Sequence, residues 1–171
     1  MYQRGKAIIG PDGSLLGTGA KVPGVTGLPL ASNESRRLFE AWSKSRKNGA
    51  IPVLADWDDG LVADLAPSIL VADVLTDQHD YRYRRVGARE IEVRGYDPTG
   101  KTIRECYGDE VLAFALENYD LAVAHPNGII DFSIEVVRDH RFIELETLLL
   151  PMSDDGTTVS HVLVYSHYLQ R

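Results

Sequence analysis

The chain has 171 residues, a length that suits one domain with a buried core. Its 25 acidic and 18 basic residues give a net charge of −7 at pH 7, which opposes binding to the phosphate backbone of a nucleic acid. One cysteine cannot form an internal disulfide, no apolar run approaches the roughly 20 residues that cross a bilayer, and the first residues lack the apolar core of a secretory signal, so we expect a cytoplasmic protein with no membrane partner.

Residues 1–32 differ in composition from the rest of the chain. They hold seven of the 15 glycines and three of the eight prolines but few apolar residues. Such a segment does not repay its ordering entropy alone, which favours a flexible terminus. The alternative is an ordered arm that packs on the domain, or on a second copy of it, through Ile8, Ile9, Leu15, Leu16, Leu28 and Leu30. We therefore divide the chain into a Gly/Pro-rich arm, residues 1–32, and a single domain, residues 33–171.

A helix is predicted over residues 33–48. Ser32 can cap its first turn, and Leu38, Phe39 and Trp42 fall on one side of it. Basic residues near its end suit the negative end of the helix dipole. This helix is expected to cover part of the domain that follows.

The connector over residues 52–66 carries four aspartates and is expected to hold one short helical turn. Four carboxylates so close together suggest calcium. An EF-hand loop, however, needs ligands at alternate positions, glycine at the sixth and glutamate at the twelfth, and this register is absent. We expect a solvated connector and no metal site, with the carboxylates of Asp56, Asp58, Asp59 and Asp64 facing water.

Two strands are predicted in the middle of the chain. Residues 68–75 are apolar and rich in β-formers, and residues 81–86 are aromatic and β-branched. Residues between them form the connecting hairpin. Regular alternation along the second strand places Tyr81, Tyr83 and Arg85 on one face.

A short helix, a turn and a second helix follow. Residues 88–94 fit two helical turns with Ile91 as the inward anchor, and Gly95 can adopt the left-handed conformation that ends a helix. The sequence DPTG at residues 97–100 is typical of a tight turn. Thr102 can cap the next helix, with a glutamate three residues later at the spacing of a capping box.

The rest of the chain predicts one long helix and three strands. Residues 108–124 repeat apolar side chains at helical intervals, among them Val111 and Ala115. Three strand signals follow, with a hairpin turn between the last two: residues 129–137, 141–150 and 158–169. The expected fold class is α/β in the broad sense and α+β more narrowly. It has a five-stranded antiparallel sheet with helices on one face and an N-terminal capping helix.

The segment YRYRRVG at residues 81–87, followed by Ile91 and by the glycine, aspartate, threonine, glycine and lysine of residues 95–101, resembles the centre of a PAS domain. The similarity is to short bacterial PAS-like proteins whose signature runs YRYRLVG, an isoleucine in a one-turn helix, then G-D-x-T-G-K. Arg85 stands where that signature has leucine. The resemblance in element order covers about residues 33–169, and the specific motif covers about 25 of them.

The resemblance implies a sensory or signalling module that acts through protein contacts. We expect either a module that senses a small organic or anionic molecule or a ligand-free interaction adaptor, in both cases with a signalling protein as partner. PAS-like sheets commonly present an apolar outer face that a preceding helix or a second subunit covers, so a homodimer is expected. Ligands of the family lie between sheet and helices, where we place Tyr83, Arg85, Ile91, Val111, Ala115, Phe132 and Leu145.

The resemblance leaves the cofactor unknown. Flavin photosensors of the family use a reactive cysteine in a G-x-N-C-R motif, and the matching residues 100–104 have Ile103 at that position, with Cys106 three residues later. Haem-binding members carry an axial histidine on or near the long helix. His125 is near its end, but a histidine there also suits the solvated, negative end of the helix dipole. We expect neither cofactor, and therefore a colourless protein.

No catalytic motif is present in the sequence. It has no glycine-rich phosphate loop, no cysteine pair for zinc and no GxSxG elbow. Asp139 and His140 are adjacent in a predicted hairpin connection, but no nucleophile or pocket accompanies them. The sequence therefore does not predict an enzyme.

Arg85 is the main candidate for ligand recognition. On an inward face its charge is costly unless it is paired. It can be satisfied by an internal carboxylate or by extending to solvent. Alternatively, its guanidinium faces a pocket and binds a carboxylate or phosphate, with Tyr83 as a neighbouring donor. The candidate internal carboxylates are Glu90, Glu105 and Glu144.

Overall fold

A computed structural model describes residues 2–17, 32–48, 50–137 and 141–169. The expectations for Leu28, Leu30, Asp139 and His140 fall outside these ranges. The strands and α-helices of the described residues are, in chain order, β1 Tyr2–Ile9, β2 Leu15–Gly17, α1 Asn33–Lys44, β3 Ile69–Leu75, β4 Asp80–Val86, α2 Ala88–Arg94, α3 Ile103–Cys106, α4 Asp109–Ala124, β5 Ile129–Val137, β6 Arg141–Ser153 and β7 Val159–Leu169.

All these strands form one antiparallel sheet in the order β2-β1-β5-β6-β7-β3-β4. Strands β3 to β7 are the five predicted ones, and α2, α3 and α4 are inserted between β4 and β5. The PAS-like α+β fold expected from the resemblance is confirmed. The sheet differs from the expectation in having seven strands, because the N-terminal arm adds β1 and β2.

The arm extends the sheet beyond β5. Six residues of β1 pair with β5, and β2 folds back on β1. Ile9 and Leu15 are buried, so the hairpin contributes apolar surface to the core as well as hydrogen bonds. Residues 2–17 of the arm are therefore ordered, which agrees with the second of the two interpretations.

The sheet has two covered faces. We call the face under α2, α3 and α4 the inner face and the opposite one the outer face. Helix α1 packs on the outer face through Leu38, Phe39 and Trp42, and the Trp42 indole donates to the Pro151 carbonyl at 3.0 Å. The hydroxyl of Ser32 accepts from the backbone of the first turn, as predicted, and α1 ends at residue 44, four residues earlier than expected.

The central segment follows the predicted local structure. Helix α2 ends at Gly95, whose φ is +76°, and α3 begins with the capping box of Thr102 and Glu105. The turn between them lies against β4, because the Gly100 N–H donates to the Tyr83 carbonyl at 2.7 Å and the Tyr83 N–H donates to the Lys101 carbonyl at 3.0 Å. This pairing holds α3 close to β4.

The connector before β3 contains three short 3₁₀ turns, Leu54–Asp56, Asp59–Val62 and Ala66–Ser68, where one helical turn was predicted. Its carboxylates bind protein groups. Asp56 pairs with a lysine and Asp64 with both terminal nitrogens of Arg37, whereas Asp58 caps a backbone N–H. Within the described part of the chain, no three metal-ligating side chains come together. None of the helices described here is long and apolar enough to cross a membrane.

Candidate functional site

A cavity of about 90 Å³ lies between the inner face of the sheet and the helices α2 to α4. Its floor is built by strand register. Asp131 of β5 pairs with Thr147 of β6, which pairs with Ser166 of β7, so three polar side chains form a row across the sheet. The neighbouring rows are Ser133, Leu145 and Tyr168 on one side and Ile129, Leu149 and Val164 on the other.

The roof of the cavity comes from four elements. Helix α2 supplies Arg94, strand β4 supplies Tyr83, and Tyr107 is the residue that follows α3. Helix α4 supplies Ala115, Asn118 and Tyr119. Nη1 of Arg94 donates to the Tyr107 hydroxyl at 2.9 Å. The guanidinium lies 5.1 Å from the centre of the Tyr83 ring and 5.8 Å from that of Tyr107, which are cation–π distances.

The carboxylate of Glu90 lies beside Arg94. Its Oε2 atom is 3.9 Å from Nε of Arg94, which is too long for a hydrogen bond, and its Oε1 atom accepts from the Tyr168 hydroxyl at 2.6 Å. Among the described residues, Nε of Arg94 has no hydrogen-bond partner. Burial raises the pKa of Tyr83 well above its ordinary value, so its hydroxyl stays protonated at neutral pH.

The N-terminal arm adds a charge at the edge of the site. Lys6 of β1 is the cross-strand neighbour of Asp131 and is itself buried. Its ammonium donates to Asn118 Oδ1 at 2.8 Å and to Glu117 at 2.6 Å. Lys6 therefore ties the arm to α4 next to the polar row of the floor.

Three of the seven predicted ligand-binding residues line the cavity: Tyr83, Ala115 and Leu145. Ile91 and Val111 are partly buried but lie outside its lining. Phe132 is a correction, because it packs against the outer cluster that includes α1. Ile130 and Phe132 of β5 pack in the cluster that includes α1, and Asp131 and Ser133 line the cavity.

Arg85 is a second correction. The pairing of β3 with β4 shifts by one residue between Val71–Arg85 and Ala72–Tyr83, which leaves Arg84 as the extra residue of a β-bulge. The bulge turns Arg85 to the face opposite Tyr83. There its guanidinium pairs with Asp59 in a wide surface groove, so the prediction of an inward Arg85 is wrong, and its partner is none of the three glutamates considered.

Sequence reasoning missed Arg94, Tyr107 and the polar row of the floor. The sequence analysis placed Arg94 in the short helix without a role, and it predicted residues 129–137 as a strand without assigning its polar side chains to a face. One signal in the sequence could have indicated the faces of the strands. The apolar side of α1 needs an apolar surface to pack on, and alternate residues of β5, β6 and β7 supply that surface.

The structure also shows where the residues discussed for flavin and haem lie. Ile103, where the photosensory cysteine would stand, is fully buried in the inner cluster, and Cys106 packs at the edge of that cluster. His125 follows the last turn of α4, and its backbone N–H donates to the Leu121 carbonyl at 3.0 Å. Neither Ile103, Cys106 nor His125 lines the cavity.

No family model matches the sequence, and no curated protein matches it. Solved structures with a similar fold include light-oxygen-voltage and PAS domains. An RNA-binding light-oxygen-voltage receptor is 19% identical, with a TM-score of 0.47 over 64% of this chain and 32% of that chain. The Vibrio cholerae VqmA dimer is 11% identical, with a TM-score of 0.48 over 66% of this chain and 51% of that chain. The Rhodobacter sphaeroides LOV protein is 12% identical, with a TM-score of 0.43 over 82% of this chain and 70% of that chain. This chain thus spans about a third of the length of the RNA-binding receptor and about half of the length of VqmA. The likeness is one of fold alone.

Proposed function

We propose that this protein is a PAS-type sensory module that binds one small polar molecule in the cavity between the inner face and α2 to α4. The observation that carries the proposal is the polar lining of a space between the sheet and the helices. Asp131, Thr147 and Ser166 lie in a row on the floor, and Arg94 lies in the roof. Burying such groups is costly unless they are hydrogen-bonded, and a purely structural core has no need of them.

The cavity sets the size of the ligand. Its volume of about 90 Å³ is well below the roughly 300 Å³ at which pockets for drug-sized ligands begin. A cavity of about 150 Å³ holds benzene, so a molecule of fewer than about six non-hydrogen atoms suits this one. We therefore favour a small metabolite over haem or flavin, and a colourless protein.

Filling the cavity tests the proposal. Leucine in place of Ala115 extends from α4 into the roof, whereas leucine in place of Ala113, on the exposed side of the same helix, leaves the cavity unchanged. We expect mass spectrometry of denatured protein to detect about one small molecule per chain for the wild type and for Ala113→Leu. Ala115→Leu should release at least tenfold less.

The contrary result would identify a ligand-free interaction adaptor. If the wild type releases no more of any small molecule than Ala115→Leu does, the cavity has no ligand to sense. Circular dichroism of both variants is the control for folding, because a leucine that unfolds the protein would also release its ligand.

We further propose that the signal leaves through protein contact, first of all with a second copy of the chain. Among the described residues, β2 is the last strand at one edge of the sheet and its Leu16 is 46% accessible. An edge strand can pair with another strand. Light scattering at high micromolar concentration should give twice the mass of the 18.9 kDa chain. A monomer mass under those conditions would contradict the homodimer and leave a different signalling protein as the partner.

A further inference from the structure

Arg94 is a buried cation whose hydrogen bonding is incomplete. Its side chain is 18% exposed, and Nη1 is bonded to Tyr107. Nε is different, because the nearest carboxylate oxygen, on Glu90, is 3.9 Å away. Among the described side chains that line the cavity, this N–H is the one buried polar atom without a hydrogen-bond partner. An unpaired buried donor is costly, so an acceptor is expected beside the guanidinium.

The groups around Arg94 are suited to the same acceptor. The Tyr107 hydroxyl accepts from Arg94, which leaves its own proton free to donate to a third group. The Tyr83 hydroxyl donates to that of Tyr107 at 3.5 Å and stays protonated at neutral pH because burial raises its pKa. A guanidinium and two phenol hydroxyls therefore converge on one end of the cavity.

Two acidic residues lie near the cavity. Glu90 forms an ion pair with Arg94, at 3.9 Å between Oε2 and Nε, and accepts from the Tyr168 hydroxyl. Asp131 lies next to Lys6 across the β1–β5 pairing. The ammonium of Lys6 forms an ion pair with Glu117 and donates to Asn118 in the roof.

The rest of the cavity is short and partly apolar. Leu145, Leu149 and Val164 contribute hydrocarbon to the wall. A ligand of fewer than about six non-hydrogen atoms can place a carboxylate at Arg94 and a short alkyl chain against this wall. Carboxylate is the acceptor whose planar geometry best matches the donor fork of a guanidinium.

The geometry points to a short monocarboxylate as the ligand, bound through its carboxylate by Arg94 and oriented by the hydroxyls of Tyr107 and Tyr83. This inference rests on the proposed ligand-binding function and adds the chemical class of the ligand. It moves anion recognition from Arg85, on the strand, to Arg94, on the helix that follows.

Propionate and propionamide test the inference with the intact protein. The two molecules have the same number of non-hydrogen atoms and differ in charge and in one acceptor oxygen. After dialysis into carboxylate-free buffer, titration followed by amide NMR spectra should show saturable shifts in α2 and β7 with propionate. Propionamide should bind at least tenfold more weakly.

Variants assign the effect to one arginine. Arg94→Met should weaken propionate binding at least tenfold. Arg85→Met is the matched control, because Arg85 lies on the outer face and pairs with Asp59. It should leave the propionate affinity within twofold of the wild type. If Arg94→Met fails to fold, the comparison of propionate with propionamide in the wild type still decides.

The outcomes separate this inference from the proposed function. If propionamide binds as well as propionate, or Arg94→Met retains full propionate affinity, the carboxylate inference is wrong while a cavity ligand remains. If neither probe binds, Nε of Arg94 is satisfied by water alone and the inference is also wrong. The proposed function is then judged separately by what the wild type and Ala115→Leu release.

Discussion

Gly87 lies between β4 and α2, where its backbone passes close to residues 66 and 67. Its φ of −68° is open to any residue, so a special backbone angle does not explain the glycine. A Cβ atom there would lie 2.3 Å from the Pro67 carbonyl oxygen and 2.7 Å from that of Ala66. The Gly87 N–H also donates to the Ile69 carbonyl at 2.9 Å, which holds the two segments together. The glycine of the YRYRRVG segment is therefore required by close approach.

Alanine at Gly87 should destabilise the protein by about 1–3 kcal/mol, because the backbone of residues 66 and 67 has to move. Gly108 is the matched control. It also precedes a helix with extended angles, φ −75°, but a Cβ there meets nothing within 4 Å. Both alanines lose the same N-cap preference, so the difference in unfolding free energy in urea isolates the close approach. Equal losses at both sites would contradict this account.

The sequence predicted well those features of the helices that depend on residues close together in the chain. The end of α2 at Gly95, the capping box at Thr102 and the apolar side of α1 with Trp42 all depend on residues within a few positions. The bulge in β4 depends instead on pairing with β3, and regular alternation does not reveal it. A shift of one residue moved Arg85 to the other face and changed the candidate ligand-binding arginine.

Strand β5 shows the same limit for a different reason. The strand was predicted, and apolar and polar residues alternate along it, but alternation does not say which element covers each face. The apolar side chains Ile130 and Phe132 face α1, and the polar ones, Asp131 and Ser133, face the cavity. Polar side chains inside a domain carry a desolvation cost, and sequence patterning normally interprets them as being in contact with solvent.

The N-terminal hairpin is the largest element that composition did not favour. Glycines and prolines suggested low order, yet β1 finds a partner in β5, more than 120 residues later in the chain. Ladder hydrogen bonds and the burial of Ile9 and Leu15 offset the ordering entropy that the segment could not repay alone. Pairing at such a sequence distance leaves no local signal.

Over the whole molecule, phenol groups are concentrated in the two covered faces. Burial raises the pKa of Tyr83 and of Tyr119 on the inner face, and that of Tyr165 on the outer face. Burial, and after it the hydrogen bond to Asp120, raises the pKa of Tyr81. These side chains come from β4, α4 and β7, so their ionisation would disrupt packing on both sides of the sheet.

Alkaline titration should therefore unfold the protein cooperatively. A tyrosine whose pKa is raised in the folded state contributes stability that is fully present below about pH 10, its unfolded value, and is lost as the pH rises toward the folded value. The sequence has eight tyrosines. The four buried ones, Tyr81, Tyr83, Tyr119 and Tyr165, should form phenolate together with the loss of the circular dichroism signal. In urea, which unfolds the protein, all eight tyrosines should titrate near pH 10. If all eight also titrate near pH 10 in the folded protein, with its circular dichroism signal intact, the four buried phenols are open to water and the prediction is wrong.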